Sequence, residues 1–136
     1  MKKNKGFTLM ELTIVLAILA IIAVILVPSF LATTDRARLR SDIQSARVIQ
    51  NAMDLYQLER GNAPSGSVSE IIEHLVEEGF LSNSSATEPS SGAIWYSRSN
   101  TIVVDITDAD GLYSIANGLP NADRRLIYNG GSSLAD

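Results

Sequence analysis

From Leu12 to Thr34 this chain of 136 residues carries no charged side chain, and Ile, Leu, Val and Ala fill most of the positions. At 1.5 Å per helical residue, that length is about what crosses the roughly 30 Å hydrocarbon core of a bilayer. Lipid offers no water to backbone amides, so the segment has to be helical. A helix that is apolar on every side must be surrounded by lipid or by other helices. No other feature of the sequence restricts the fold as strongly.

The flanks assign a direction to the segment. Lys2, Lys3 and Lys5 precede it and are the only lysines in the chain. The positive-inside bias keeps that end cytoplasmic and places the body outside. Without the three lysines, eight basic side chains face fifteen acidic ones, a net of −7 against −4 for the whole chain. So acidic a body is a poor default partner for nucleic acid, whose binding rests on neutralised phosphates. Cysteine is absent, which excludes a disulfide framework, a thiolate nucleophile, a cysteine metal site and an acylated lipoprotein. The run leaves through "VPSFLATTDRA", a poor match to the small-x-small site of a secretory signal peptide. A plain single-span anchor fits the length but leaves one residue, Glu11, without a reason.

Glu11 stands directly before the apolar run, among Phe7, Leu9 and Met10. The stretch Lys5-Gly6-Phe7-Thr8-Leu9-Met10-Glu11, with an uninterrupted apolar helix behind it, resembles the class III (prepilin) signal of type IV pilins and type II secretion pseudopilins. That resemblance implies cleavage between Gly6 and Phe7 by a prepilin peptidase, then N-methylation of Phe7. Pro28 sits where pilins commonly carry a helix-bending proline. Its missing N–H and its clash with the preceding turn should bend or loosen the helix without ending it.

The charges around the cut give Glu11 a purpose. Cleavage leaves an amine on Phe7, one helical turn from Glu11. Either charge alone in hydrocarbon costs several kcal/mol. When copies stack with an axial offset, the Glu11 of one can meet the amine of another, and a wrong register leaves both unpaired. Thr8 helps to orient these charges. The alternative is a Glu11 that reaches the headgroups and has no partner. Head-to-tail contacts that do not close give an open helical polymer.

Beyond Pro28 the helical period continues. Leu39, Ile43, Ala46, Ile49, Met53 and Tyr56 form one apolar stripe, with Arg36, Arg38, Arg40, Asp42, Arg47 and Asp54 mostly off it. The arginines are read as solvated or as paired with acids of a neighbouring subunit. Gly61 stops the helix and Pro64 follows, so one helix is expected from about Phe7 to Arg60. A short amphipathic helix over "SVSEIIEHLVEEGFLSN" is capped by Ser67 or Ser69, turns Ile71, Ile72, Leu75 and Val76 inward, and ends at Gly79. "SSATEPSSG" is a loop. Three strands are expected at Ala93–Ser97, Thr101–Thr107 and Leu112–Ala116, with a further one in "RRLIYN" and a frayed "GGSSLAD" tail.

The fold class expected is therefore α+β: a long N-terminal helix, transmembrane half plus amphipathic half, packed on a small antiparallel β-sheet, the ladle shape of pilins. Its parts are a leader at 1–6, a transmembrane or filament-core helix at 7–34, its amphipathic continuation at 35–60, and a globular head at 61–136.

Little else carries chemistry. His74 is the one histidine and falls on the charged face of a short helix, away from any nucleophile. Asp105, Asp108 and Asp110 hint at calcium, but Ile106 and Asn117 stand where an EF-hand loop needs oxygen ligands, so a polar hairpin turn is the better reading. Calcium occurs in the major pseudopilins of type II secretion, whose Pro- and Trp-containing loop has no clear counterpart here. No cofactor is expected. The resemblance implies a filament subunit rather than an enzyme: a pilin for adhesion, motility or DNA uptake, or a pseudopilin of a secretion or competence system. Its partners would be itself or other pilins, the peptidase and N-methyltransferase, the membrane, and an assembly platform with its ATPase. A reading from another class is a monomeric binding domain on a membrane anchor.

Overall fold

One helix, α1 (Leu9–Arg60), accounts for the largest part of the chain, with Pro28 inside it. The computed structural model describes residues 6–82, 88–109 and 111–135. The chain divides into two compact units, Met1–Thr34 and Asp35–Asp136, and α1 contributes to both.

In the first unit the helix exposes its apolar side chains on all faces, from Leu12 through Leu31. Its polar side chains are hidden on its own backbone. Thr13 Oγ1 donates to the Leu9 carbonyl at 2.8 Å, and Thr33 and Thr34 donate to Ser29 and Phe30, each at 2.9 Å. A hydroxyl satisfied this way asks nothing of its surroundings, which suits a dry environment. This is the one helix among the described residues long and apolar enough to cross a membrane.

The second unit is an α+β domain. The expected stripe from Leu39 to Tyr56 is buried throughout. It packs with Ile71 and Leu75 of α2 (Val68–Glu77) and with a four-stranded sheet that contributes Trp95, Ile102, Val104 and Ile127. The sheet runs β1 (Ile94–Arg98), β2 (Thr101–Asp105), β3 (Ile127–Asn129), β4 (Ser132–Ser133) in spatial order. Gln50 joins α1 to it: the Ile102 N–H donates to Gln50 Oε1 at 2.8 Å, and Gln50 Nε2 donates to the Asn100 carbonyl at 3.2 Å.

Helix α2 is closed at both ends by its own sequence. Ser67 is the N-cap and Glu70 completes a reciprocal capping box. At the other end Gly79 adopts φ +81°, and the N–H groups of Gly79 and Phe80 donate to the Val76 and Leu75 carbonyls. That is the Schellman arrangement, for which a glycine is the low-cost residue.

The α+β class stands, and the head differs from the expectation in four details. The segment read as a strand at Leu112–Ala116 is a helix, α3 (Leu112–Asn117), followed by α4 (Asn121–Arg124). Leu112, Ala116 and Leu119 are buried and Ile115 packs beside them, spaced as on one helical face. The sheet is also not wholly antiparallel, because β2 and β3 pair in parallel, Val104 with Ile127 and Asp105 with Tyr128. Parallel neighbours need a long crossover, and α3 and α4 supply it. The chain leaving β2 after Asp105 consequently starts that crossover rather than a hairpin turn. The tail is not wholly frayed, since β4 pairs antiparallel with β3. The hairpin between β1 and β2 turns through Ser99 and Asn100 at φ +49° and +67°, and that between β3 and β4 through Gly130 and Gly131 at φ +61° and +87°.

Candidate functional site

The N-terminal end of α1 brings together the residues singled out in the sequence. Thr8 precedes the first helical residue, Leu9, and Glu11 stands three positions beyond Thr8. The Thr8 N–H and hydroxyl donate to Glu11 Oε2 at 2.9 and 3.1 Å, and the Glu11 N–H donates to Thr8 Oγ1 at 3.2 Å. Within one chain the pair is thus a capping box, the same device that opens α2 at Ser67 and Glu70. A free helix start leaves its first N–H groups without partners, and here two side chains supply them. The carboxylate also lies at the positive end of the helix dipole. Capping was the role of Glu11 not foreseen; the Thr-x-x-Glu spacing was its signal.

Gly6 and Phe7 lie just outside that cap, and Phe7 is 92% exposed. A Cβ on Gly6 would meet nothing within 4 Å, and its φ is not positive. Nothing among the described residues requires a glycine at position 6. Pro28 lies within α1, and the hollow beside it, lined by Leu26, Val27, Phe30 and Leu31, is open, apolar and without a titratable group.

Against known proteins, the family model "Prokaryotic N-terminal methylation motif" matches residues 1–27. The match takes in Gly6, Phe7 and Glu11 together with the first part of the apolar run. The chain is 42% identical over 72 residues to "Prepilin peptidase-dependent protein A" of Clostridium perfringens, covering 52% of this chain and 50% of that one. It is 28% identical over 92 residues to "Type II secretion system core protein G" of Escherichia coli, covering 68% and 62%. It is 40% identical over 66 residues to a "Fimbrial protein" of Neisseria meningitidis, covering 48% and 39%. The chain thus spans between about two fifths and three fifths of the length of these relatives. No solved structure gives a significant match.

The remaining candidates fall elsewhere. His74 is packed against Tyr56, with its Nε2 3.0 Å from the Tyr56 hydroxyl and the rings edge to face at 5.2 Å. It is half-buried, not free on a charged face. Asp105 Oδ1 accepts from the Thr107 N–H at 2.9 Å and from the Thr107 hydroxyl, closing a local turn. Asp108 is exposed, and Asp110 lies outside the described residues. No group of three or more metal-ligating side chains occurs among the described residues. The lysines of the leader also lie outside them.

Two charged groups were placed wrongly by the sequence. Asp42, expected off the stripe, is only 2% exposed and accepts three hydrogen bonds from Ser90 and Ser91. Its helical spacing, three after Leu39 and four before Ala46, puts it on the stripe and was the available signal. Arg47, expected solvated or bound to a neighbouring subunit, pairs within the chain with Asp123 at 2.7 Å.

Proposed function

We propose that this chain is a type IV pilin-like subunit, made as a membrane precursor, cleaved by a prepilin peptidase and polymerised through α1 into a helical filament. The observation that carries the reading is the coincidence at one spot of the methylation motif over residues 1–27, exposed Gly6 and Phe7, and a helix whose apolar side chains are exposed among the described residues. The chain is then the substrate of an enzyme and not an enzyme itself.

Each residue has a part in this scheme. Hydrolysis between Gly6 and Phe7 releases residues 1–6, and the new Phe7 amine is methylated. Before cleavage residues 7–34 anchor the precursor with its N-terminus in the cytoplasm; afterwards they form the filament core. Residues 35–60 join that core to the head at 61–136. In the assembled state Glu11 exchanges part of its cap for the amine of a neighbouring copy, with Thr8 holding the carboxylate in place. A misregistered copy leaves two charges in hydrocarbon, so the pair sets register more than it adds cohesion. Pro28 is the point at which the helix can loosen when lipid is replaced by protein.

Similarity to a secretion-system core protein supports a second version, a pseudopilin that forms a short filament instead of a long surface fibre. Electron microscopy of cells with and without the gene separates the two. The deciding experiment for both is the N-terminus of the mature chain. A start at methylated Phe7 is expected. A mature chain that keeps residues 1–6 and stays monomeric would instead indicate an anchored binding domain.

A further inference from the structure

Two helices of the second unit each carry a pair of like charges one turn apart, and the two pairs have opposite signs. Arg36 and Arg40 are exposed on α1, and Glu73 and Glu77 are exposed on α2. Residues four apart share a helix face, about 6 Å from one another along the axis. Like charges at that spacing weaken their own helix unless an opposite charge comes between them.

The counter-charges nearby are already committed. Asp35 lies 4.0 Å from Arg38, Asp42 is buried on Ser90 and Ser91, and Asp123 holds Arg47. Around α2, Arg60 pairs with Glu78, Glu70 is bound to Ser67, and His74 meets the Tyr56 hydroxyl. Arg36 reaches the Gly118 carbonyl, a contact that leaves its charge uncompensated. For Arg40, Glu73 and Glu77 no side-chain hydrogen bond or ion pair is found among the described residues. Nor can the two pairs meet within one copy. His74, the neighbour of Glu73, packs on Tyr56, which lies roughly 24 Å beyond Arg40 along α1. Two extended side chains do not span that gap.

We propose that Glu73 and Glu77 of one copy dock against Arg36 and Arg40 of a second copy. The proposal rests on the reading that copies polymerise, and it names the surfaces through which their second units meet. Equal spacing on the two helices lets each carboxylate face one guanidinium, whose planar fork matches carboxylate oxygens. Because the two patches differ, the contact is heterologous, the kind that can run on from copy to copy. Without the three lysines the chain carries −7, so two copies repel overall. An orientation that sets arginines against acids offsets that repulsion. Exposed ion pairs add little cohesion. A misplaced copy, however, brings like charges together, so the contact selects how second units are placed.

The chain contains no cysteine, so paired cysteines report the contact directly. Arg40→Cys is combined with Glu73→Cys or with Glu77→Cys in the full chain, and membranes of cells that assemble it are mildly oxidised. At least one combination should give a ladder of disulfide-linked dimers, trimers and longer products. Arg40→Cys with Tyr113→Cys, on the exposed face of α3, should give nothing beyond dimers. Charge reversal supplies a second readout. Arg40→Glu breaks no described contact, so melting of the head should be unchanged. Filaments counted by electron microscopy should fall at least about tenfold, and adding Glu73→Arg or Glu77→Arg should restore them to within about twofold. No ladder from either combination, normal filaments from Arg40→Glu, or a loss that neither acid variant rescues overturns the proposal and leaves the filament reading in place. A link from position 40 only to position 40 of another copy, or only to a different protein, overturns it as well. If the native chain is neither cut before Phe7 nor polymerised, the filament reading falls, and this contact with it.

Discussion

Asp42 holds Ser90. One carboxylate oxygen accepts the Ser90 N–H at 2.7 Å and its hydroxyl at 3.0 Å, while the other accepts the Ser91 N–H at 2.9 Å. The Asp42 backbone carbonyl meanwhile accepts Trp95 Nε1 at 3.2 Å. A single residue of α1 therefore fixes both the loop that enters the sheet and the large side chain that begins it. In a chain without cysteine, this hydrogen-bonded latch takes a place a disulfide often fills.

Removing the latch should be costly. Asp42→Ala removes the buried acceptor of the Ser90 and Ser91 N–H groups, and a loss of about 1–3 kcal/mol is expected. Thermal unfolding of the full chain in detergent measures it. Faster hydrogen exchange at Ser90 and Ser91 would locate it, and unchanged exchange there would refute the latch.

Capping and register can be separated at Glu11. Glu11→Gln keeps a side chain able to complete the box with Thr8, but removes the charge a neighbouring amine would need. We expect normal insertion and cleavage with absent or disordered filaments. Thr8→Ala should do the reverse, weakening the helix start by about 1 kcal/mol while filaments still form. Normal filaments from Glu11→Gln, seen by electron microscopy, would reduce Glu11 to a cap.

Gly6 offers a test of outside recognition. Because the chain leaves open space around it, Gly6→Val should not disturb α1, and circular dichroism should be unchanged. Uncleaved precursor should accumulate on gels, since a branched side chain now meets whatever grips the segment. Normal processing would show that the glycine is not read.

The capping box of α2 gives a pH dependence. The Ser67 N–H, and after it the Ser67 hydroxyl, hold the Glu70 carboxyl below the ordinary glutamate range. The folded state then binds this proton less readily than the unfolded state. Its stabilising contribution is complete above the unfolded value and is lost as pH falls through the folded one. Melting curves between about pH 6 and about pH 3 should show a steeper decline for the native chain than for Glu70→Gln. Parallel curves would refute the assignment.

The helices of this chain could be read before the structure because their signals are local. The stripe from Leu39 to Tyr56 repeats over several turns, and Ser67, Glu70 and Gly79 mark the ends of α2 chemically. The N-terminal methylation motif was legible from its consecutive residues. What could not be read depends on distant partners. Leu112–Ala116 has the composition of a strand but too few residues to display its period, and its helical form is settled by the crossover that joins β2 to β3. Asp42 looked like one more charged residue because its donors lie nearly fifty positions away. Arg47 likewise finds Asp123 only after the chain has folded back.

The sheet ends on one side in β4, a strand of two residues. Exposed strand edges are where one protein chain can graft onto another, as in amyloid. A subunit packed side by side with its copies, as in the proposed filament, would run that risk more than most. So short a margin presents little free backbone on that side, and leaves β1, with its five residues, as the longer of the two open edges.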